Sequence, residues 1–171
     1  MTSYVALLRG INLMGGTTLR MAALKEIAEE LGLRDVRTFI ASGNLLFTSK
    51  ASEREIKSTL EAALKAHMSR DVGVMVRSAE EMADVAAGNP FGDSAASSVV
   101  AIFLDDAPAT DALESARKVE DERMALGKRE IYVHYPRGQG QSRLAIPAAA
   151  RGTARNMNTV ARLAELAKET T

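Results

Sequence analysis

The apolar positions of the first half switch between the period of a strand and the period of a helix. Residues 4–9, beginning Tyr4-Val5-Ala6-Leu7-Leu8, read as a buried strand. Leu24, Ile27, Ala28 and Leu31 then recur at helical spacing, with Gly32 placed as the stop. Residues 36–40 and 45–48 are strand candidates joined by the turn-rich Ala41-Ser42-Gly43-Asn44. Ser52-Glu53-Arg54-Glu55 has the capping-box form and opens a helix with Ile56, Leu60, Ala63, Leu64 and His67 along one side. Residues 72–77 form a fourth strand. The order β-α-β-β-α-β is the ferredoxin-like, split βαβ arrangement, with both helices on one face of an antiparallel sheet.

The second half repeats this order in weakened form. Ser78-Ala79-Glu80-Glu81 is a second capping box, opening a short helix to Ala87. Asn89-Pro90-Phe91-Gly92-Asp93 is a loop, because proline disfavours helix in the residue before it. Residues 98–104 read as a strand, 111–124 as a helix stopped by Gly127, and 130–135 as a strand. Pro136-Arg137-Gly138-Gln139-Gly140 is a turn, with residues 142–146 as hairpin partner. Asn158 or Thr159 caps a last helix carrying Val160, Leu163, Leu166 and Ala167. The expected fold is therefore α+β: two ferredoxin-like βαββαβ halves, 1–77 and a degenerate 78–171, packed as one compact unit. The second half lacks a clear final strand, and the duplication rests on element order alone.

Composition narrows the chemistry. With 46% hydrophobic and only 4% aromatic residues and no Trp, the core is built from Ala, Leu, Val, Ile and Met, the methionines filling gaps. Absence of Cys removes disulfides, thiolate catalysis and Cys-ligated zinc. No apolar run approaches membrane-spanning length, and no basic segment precedes the first apolar strand, so a cytoplasmic protein is expected. The 22 basic and 22 acidic residues cancel, which argues against a general nucleic-acid coat. The stretch 128–155, however, carries Lys128, Arg129, Arg137, Arg143, Arg151 and Arg155 against Glu130 alone, a net +5.

The most informative segment is Arg9-Gly10-Ile11-Asn12-Leu13-Met14-Gly15-Gly16, an Arg/Asn/Gly loop between the first strand and the first helix. Glycines let backbone approach a ligand, and a helix start offers free N–H groups to an anion. Arg9 would hold a carboxylate or phosphate, with Asn12 orienting it; the structural alternative pairs Arg9 with a helix acid. The segment is neither a Walker A loop nor G-x-G-x-x-G. Ser42-Gly43-Asn44 is first of all turn chemistry, but topology brings the start of strand 3 beside the end of strand 1. Arg37, starting strand 2, belongs to the opposite end. Arg155 and Asn156 precede the last helix and offer a cation near free N–H groups, against plain capping by Asn158. The candidate ligand-binding set is Arg9, Asn12, Gly15, Gly16, Ser42, Asn44, Arg155 and Asn156. His67 reads as a packed helix residue. His134 lies in a strand on the opposite face from Tyr132 and Tyr135, with no nameable partner. Asp105-Asp106 reads as a turn. No catalytic nucleophile, metal site or cofactor is assigned.

Several segments together resemble the DUF1697 family of bacterial proteins. They are Leu8-Arg9-Gly10-Ile11-Asn12 with Gly15-Gly16, the run from Asp35 to Asn44, Val76-Arg77-Ser78, Asn89-Pro90-Phe91, and Thr153-Ala154-Arg155-Asn156-Met157-Asn158-Thr159-Val160. The resemblance implies a duplicated, ferredoxin-like α/β fold and supplies no reaction. The family usually has Trp where this chain has Met157, and the stretch 144–152 is shorter than usual and contains Pro147. Both departures imply an altered C-terminal contribution to any site.

Two functions follow. The first is a protein binding a small anionic or phosphate-bearing ligand, such as a nucleotide, at strand-end loops. The second is an RNA- or protein-binding module using the basic 128–155 segment, although the scattered Phe39, Phe47, Phe103, Tyr132 and Tyr135 form no base-stacking motif.

Overall fold

A computed structural model describes residues 1–11 and 18–170. The described chain divides into two compact units, Met1–Ala83 with Leu163–Thr171, and Asp84–Arg162. Each contains one four-stranded antiparallel sheet.

In the first unit, β1 (Thr2–Leu8), β2 (Arg34–Thr38), β3 (Asn44–Ser49) and β4 (Val74–Ser78) form a sheet of order β2-β3-β1-β4. The helices α1 (Met21–Glu30) and α2 (Glu53–Met68) are the two crossovers. Tyr4, Ala6 and Leu8 on β1, Leu45 and Phe47 on β3, and Val74 and Val76 on β4 share one core with Leu24 and Ala28 of α1 and Ile56, Leu60 and Leu64 of α2. Both helices therefore cover one face, as the element order requires. The other face is also closed: Ser3 Oγ donates to Ala167 O (2.7 Å), in the last helix, α4 (Met157–Glu169). Burial on both faces explains why β1 reads as an uninterrupted apolar run rather than an alternation.

The helix boundaries follow their caps. Ser52 Oγ accepts from Glu55 N (3.2 Å) to start α2. Ser78 and Glu81 form the full reciprocal box, both bonds 3.1 Å, at the start of α3 (Ala79–Ala87). At the end of α1, Gly32 sits at φ +87°, and Leu33 N and Gly32 N close on Ala28 O and Glu29 O. That is a Schellman stop.

The second unit has β5 (Val99–Phe103), β6 (Arg123–Leu126), β7 (Glu130–His134) and β8 (Thr153–Asn156) in the order β6-β7-β5-β8. The strand order copies that of the first unit, but both crossover helices are reduced to short 3-10 turns, Ala112–Ser115, Gln139–Gln141 and Pro147–Ala149. Four expectations are corrected here. The helix over 111–124 is absent, because beyond Leu113 the helical positions fall on Ala116, Arg117 and Glu120, and Lys118 adopts φ +57°. Gly127 turns the β6–β7 hairpin, its N–H meeting Glu130 O at 2.7 Å. The hairpin partner of β7 is β6, whereas residues 142–146 contribute only an isolated bridge, Arg117 to Ala145. The final strand exists as β8, paired to β5.

Tyr132 on β7 donates its hydroxyl to Val85 O (2.8 Å) inside the second unit. Burial, with the Glu130 charge, pushes its phenol up to about 12. The neutral phenol is thus favoured by folding; its contribution is complete below the ordinary value of 10 and is lost as pH rises towards 12. Tyr132→Phe is expected to cost about 1 kcal/mol at pH 8. Urea unfolding at about pH 11.5 should show a narrower gap; an unchanged gap would contradict this role.

Candidate functional site

The loop end of the first sheet is held by main-chain bonds. Leu7 pairs with Asn44 across β1 and β3. Leu8 N–H donates to Gly43 O and Arg9 N–H to Gly73 O, both at 2.9 Å. The start of β3 thus lies beside the end of β1, as the topology anticipated, and Arg9 is in addition clamped against the start of β4. Its aliphatic stem runs along Gly73, where an added Cβ would lie 3.6 Å from Arg9 Cβ and 3.7 Å from Cδ. The residue itself is exposed. Next to it, Gly10 takes φ +65°, and its carbonyl accepts from Arg70 Nη2 at 3.0 Å.

Asn44 is fully buried, and its amide donates to Phe39 O (2.8 Å) and Ser42 Oγ (3.0 Å). It builds the turn that supports the loop end, while Ser42 is exposed on that turn. Asn12, Gly15 and Gly16 lie outside the described residues. Arg9, Ser42 and Asn44 therefore share one sheet end, and Arg70, missed in the sequence, joins them. Arg37 is corrected: β2 begins at Arg34, so Arg37 lies near the turn, where Nη2 donates to Leu166 O and Thr170 Oγ1, each at 2.8 Å.

Arg155 and Asn156 belong to the second unit. Arg155 is buried on β8, donating to Thr153 Oγ1 (2.7 Å) and Ala154 O (3.0 Å), and burial pushes its guanidinium down to about 10. Asn156 Oδ1 accepts from Thr159 N (3.0 Å), so Asn156, rather than Asn158 or Thr159, caps α4. Elsewhere in the basic stretch, Arg129 donates twice to Asp105 O, and Arg137 contacts Glu120 and Asp121. Lys128, Arg143 and Arg151 are exposed.

The equivalent sheet end in the second unit has the opposite charge. Leu104 N–H donates to Arg129 O at 2.9 Å, as Leu8 does to Gly43, and Asp105 stands where Arg9 stands. A cavity of about 850 Å³ there is lined by Asp105, Asp106, Asp111 and Glu114 together with Arg151. Only the first unit presents arginine at this position.

His67 is exposed on α2, not packed. His134 shares the face of Tyr132, two residues away, and only Tyr135 lies opposite. Its Nδ1 accepts from Arg123 Nε (3.3 Å), while the Arg123 guanidinium lies 4.7 Å from the Phe91 ring centre and bonds Ser94 Oγ at 2.8 Å. This ties the Asn89-Pro90-Phe91 loop to the edge of the sheet. Among the described residues no group of three or more His, Asp or Glu side chains is arranged to hold a metal ion, and no helix is long and apolar enough to cross a membrane.

A family model described as a protein of unknown function, DUF1697, matches residues 1–132. No curated protein matches the chain. A solved structure, that of conserved bacterial protein SP0830 from Streptococcus pneumoniae, is similar over 97% of this chain and 98% of that one, with 25% identity and a TM-score of 0.79.

Proposed function

This chain belongs to the DUF1697 family, described as of unknown function, and we propose that it binds a small, phosphate-bearing anion in the cytoplasm at the loop end of its first sheet. The observation that carries this is the clamping of Arg9. Its main chain is fixed to Gly73 O, so the exposed guanidinium is delivered from a rigid strand end rather than from a free loop. Gly10 and Gly43, both at positive φ, give the backbone its close turns. The opposite charge at the equivalent end of the second sheet supports placing the anion in the first unit.

A thermal-shift panel of nucleotides, sugar phosphates, acyl anions and short RNAs tests this. A ligand at a hundred times its dissociation constant adds about 2.7 kcal/mol, or roughly 5–10 °C for a chain of this size. Arg9→Ala removes an exposed side chain and leaves both main-chain bonds. It is expected to weaken binding of the responding anion about ten- to a hundredfold, the worth of one charge-assisted contact. A shift with RNA alone, falling steeply with added salt, would contradict the small-anion reading and favour the basic segment instead.

A further inference from the structure

The same sheet end carries a second guanidinium in a distinctive setting. Arg70 is half-buried, and it is fixed on two main-chain carbonyls, Gly10 O at 3.0 Å and Asp71 O at 3.3 Å. Among the described residues it has no carboxylate partner. The adjacent acid, Asp71, is directed instead to Lys65 Nζ at 3.4 Å, and that carboxylate is 90% exposed. Carbonyl anchors hold a guanidinium in place without neutralising it. Two of its five N–H donors are used in this way, leaving others for a ligand.

Arg9 and Arg70 bracket the Arg9–Gly10 step from two directions. The Arg9 amide is tied to Gly73, and the Arg70 side chain reaches back from three residues before Gly73 to the Gly10 carbonyl. One guanidinium matches one negative charge; two on a common rim favour an anion carrying two. Phosphate monoesters are dianionic at pH 7, with a second ionisation near 6, whereas diesters and carboxylates stay monoanionic. Arginine pairs also fit the several acceptor oxygens of a terminal phosphate better than the two of a carboxylate.

We infer that Arg70 is a second binding residue of this site and that its ligand is a phosphate dianion, a terminal phosphomonoester or free phosphate. This rests on the anion-site reading above. Arg9 supplies attraction common to any anion, and Arg70 supplies the preference for the second charge.

The test uses the full chain and four probes: methyl phosphate, dimethyl phosphate, inorganic phosphate and acetate, titrated calorimetrically at low salt. At pH 7.5 methyl phosphate should bind at least about tenfold more tightly than dimethyl phosphate. That preference should collapse as pH falls to about 5 and the monoester becomes a monoanion. Arg70→Gln should abolish the preference, and Arg70→Lys should restore part of it, each with an unchanged circular dichroism spectrum. A merely structural Arg70 would not give a charge-dependent preference. Tighter methyl phosphate than inorganic phosphate identifies an ester as the source; the reverse identifies free phosphate. If Arg9→Ala weakens binding about tenfold or more while Arg70→Gln keeps the full monoester preference, the anion site stands and this inference falls. If no probe binds the wild type, both fall together.

Discussion

Gly43→Ala is expected to lower the stability of the folded chain by about 2–5 kcal/mol, two effects adding at one atom. The residue sits at φ +88°, where an L side chain is strained. Its added Cβ would also lie 2.6 Å from Ile11 Cδ1 and 2.9 Å from Leu8 Cβ. Ile11 Cδ1 is the tip of a side chain and can move; Leu8 Cβ is fixed by β1 and cannot. Gly10→Ala separates the two effects. Gly10 is at φ +65° but has open space around it, so it should lose only the backbone component, about 1–2 kcal/mol. Denaturant unfolding of the two variants measures the difference. Equal losses would mean that the β2–β3 turn accommodates the extra methyl group, and that the loop end is less rigid than its main-chain bonds indicate.

Phe47→Ala should cost about 3–5 kcal/mol. Its ring is fully buried at the centre of the first core, opposite Tyr4 in the β1–β3 register, with ring centres 5.8 Å apart. Truncation leaves a cavity walled by β-strands and two helices that cannot close together, and it removes the aromatic pair. Phe47→Leu keeps most of the volume and should cost about 1 kcal/mol. For a chain of this length the alanine variant should melt on the order of 10 °C lower. A loss under about 1 kcal/mol would show that the two-helix layer collapses onto the sheet.

The first unit was legible because its signals are local and agree with one another. Ser52, the Ser78–Glu81 box and Gly32 mark helix ends with the hydrogen bonds that their residue types predict. The apolar positions of α1 and α2 fall on one stripe. Given that order, the meeting of Arg9 with Asn44 at one sheet end follows from antiparallel pairing alone. The second unit resisted for the opposite reason. In β6, Met124 and Leu126 alternate with Arg123 and Ala125, a period of two over only four residues, all of them good helix formers. Tertiary pairing with β7 decides the conformation. In β8 the inward positions are Thr153 and Arg155, polar side chains that read as loop.

That buried arginine also exposes a duplication the sequence hid. Arg77 on β4 pairs with Val5, and Arg155 on β8 pairs with Ala101, at matching places in the two sheets. Each donates Nη1 to the carbonyl of the residue before it, at 3.0 Å, and each is followed by the residue that caps a helix, Ser78 or Asn156. Two short segments, Val76-Arg77-Ser78 and Ala154-Arg155-Asn156, are too little for a residue-level repeat to stand out. Arg70 left no sequence signal at all, because its placement depends on the left-handed Ser69 turn before β4 and on the carbonyl of Gly10, sixty residues away.

The most direct measurement of the anion site is an amide chemical-shift titration of the isotopically labelled full chain with inorganic phosphate. The site described above predicts saturable shifts concentrated at Arg9, Gly10, Ser42, Gly43 and Gly73, with the midpoint moved at least about tenfold higher in phosphate in Arg9→Ala. Shifts confined to residues 128–155, or no saturable shift at any amide, would contradict it.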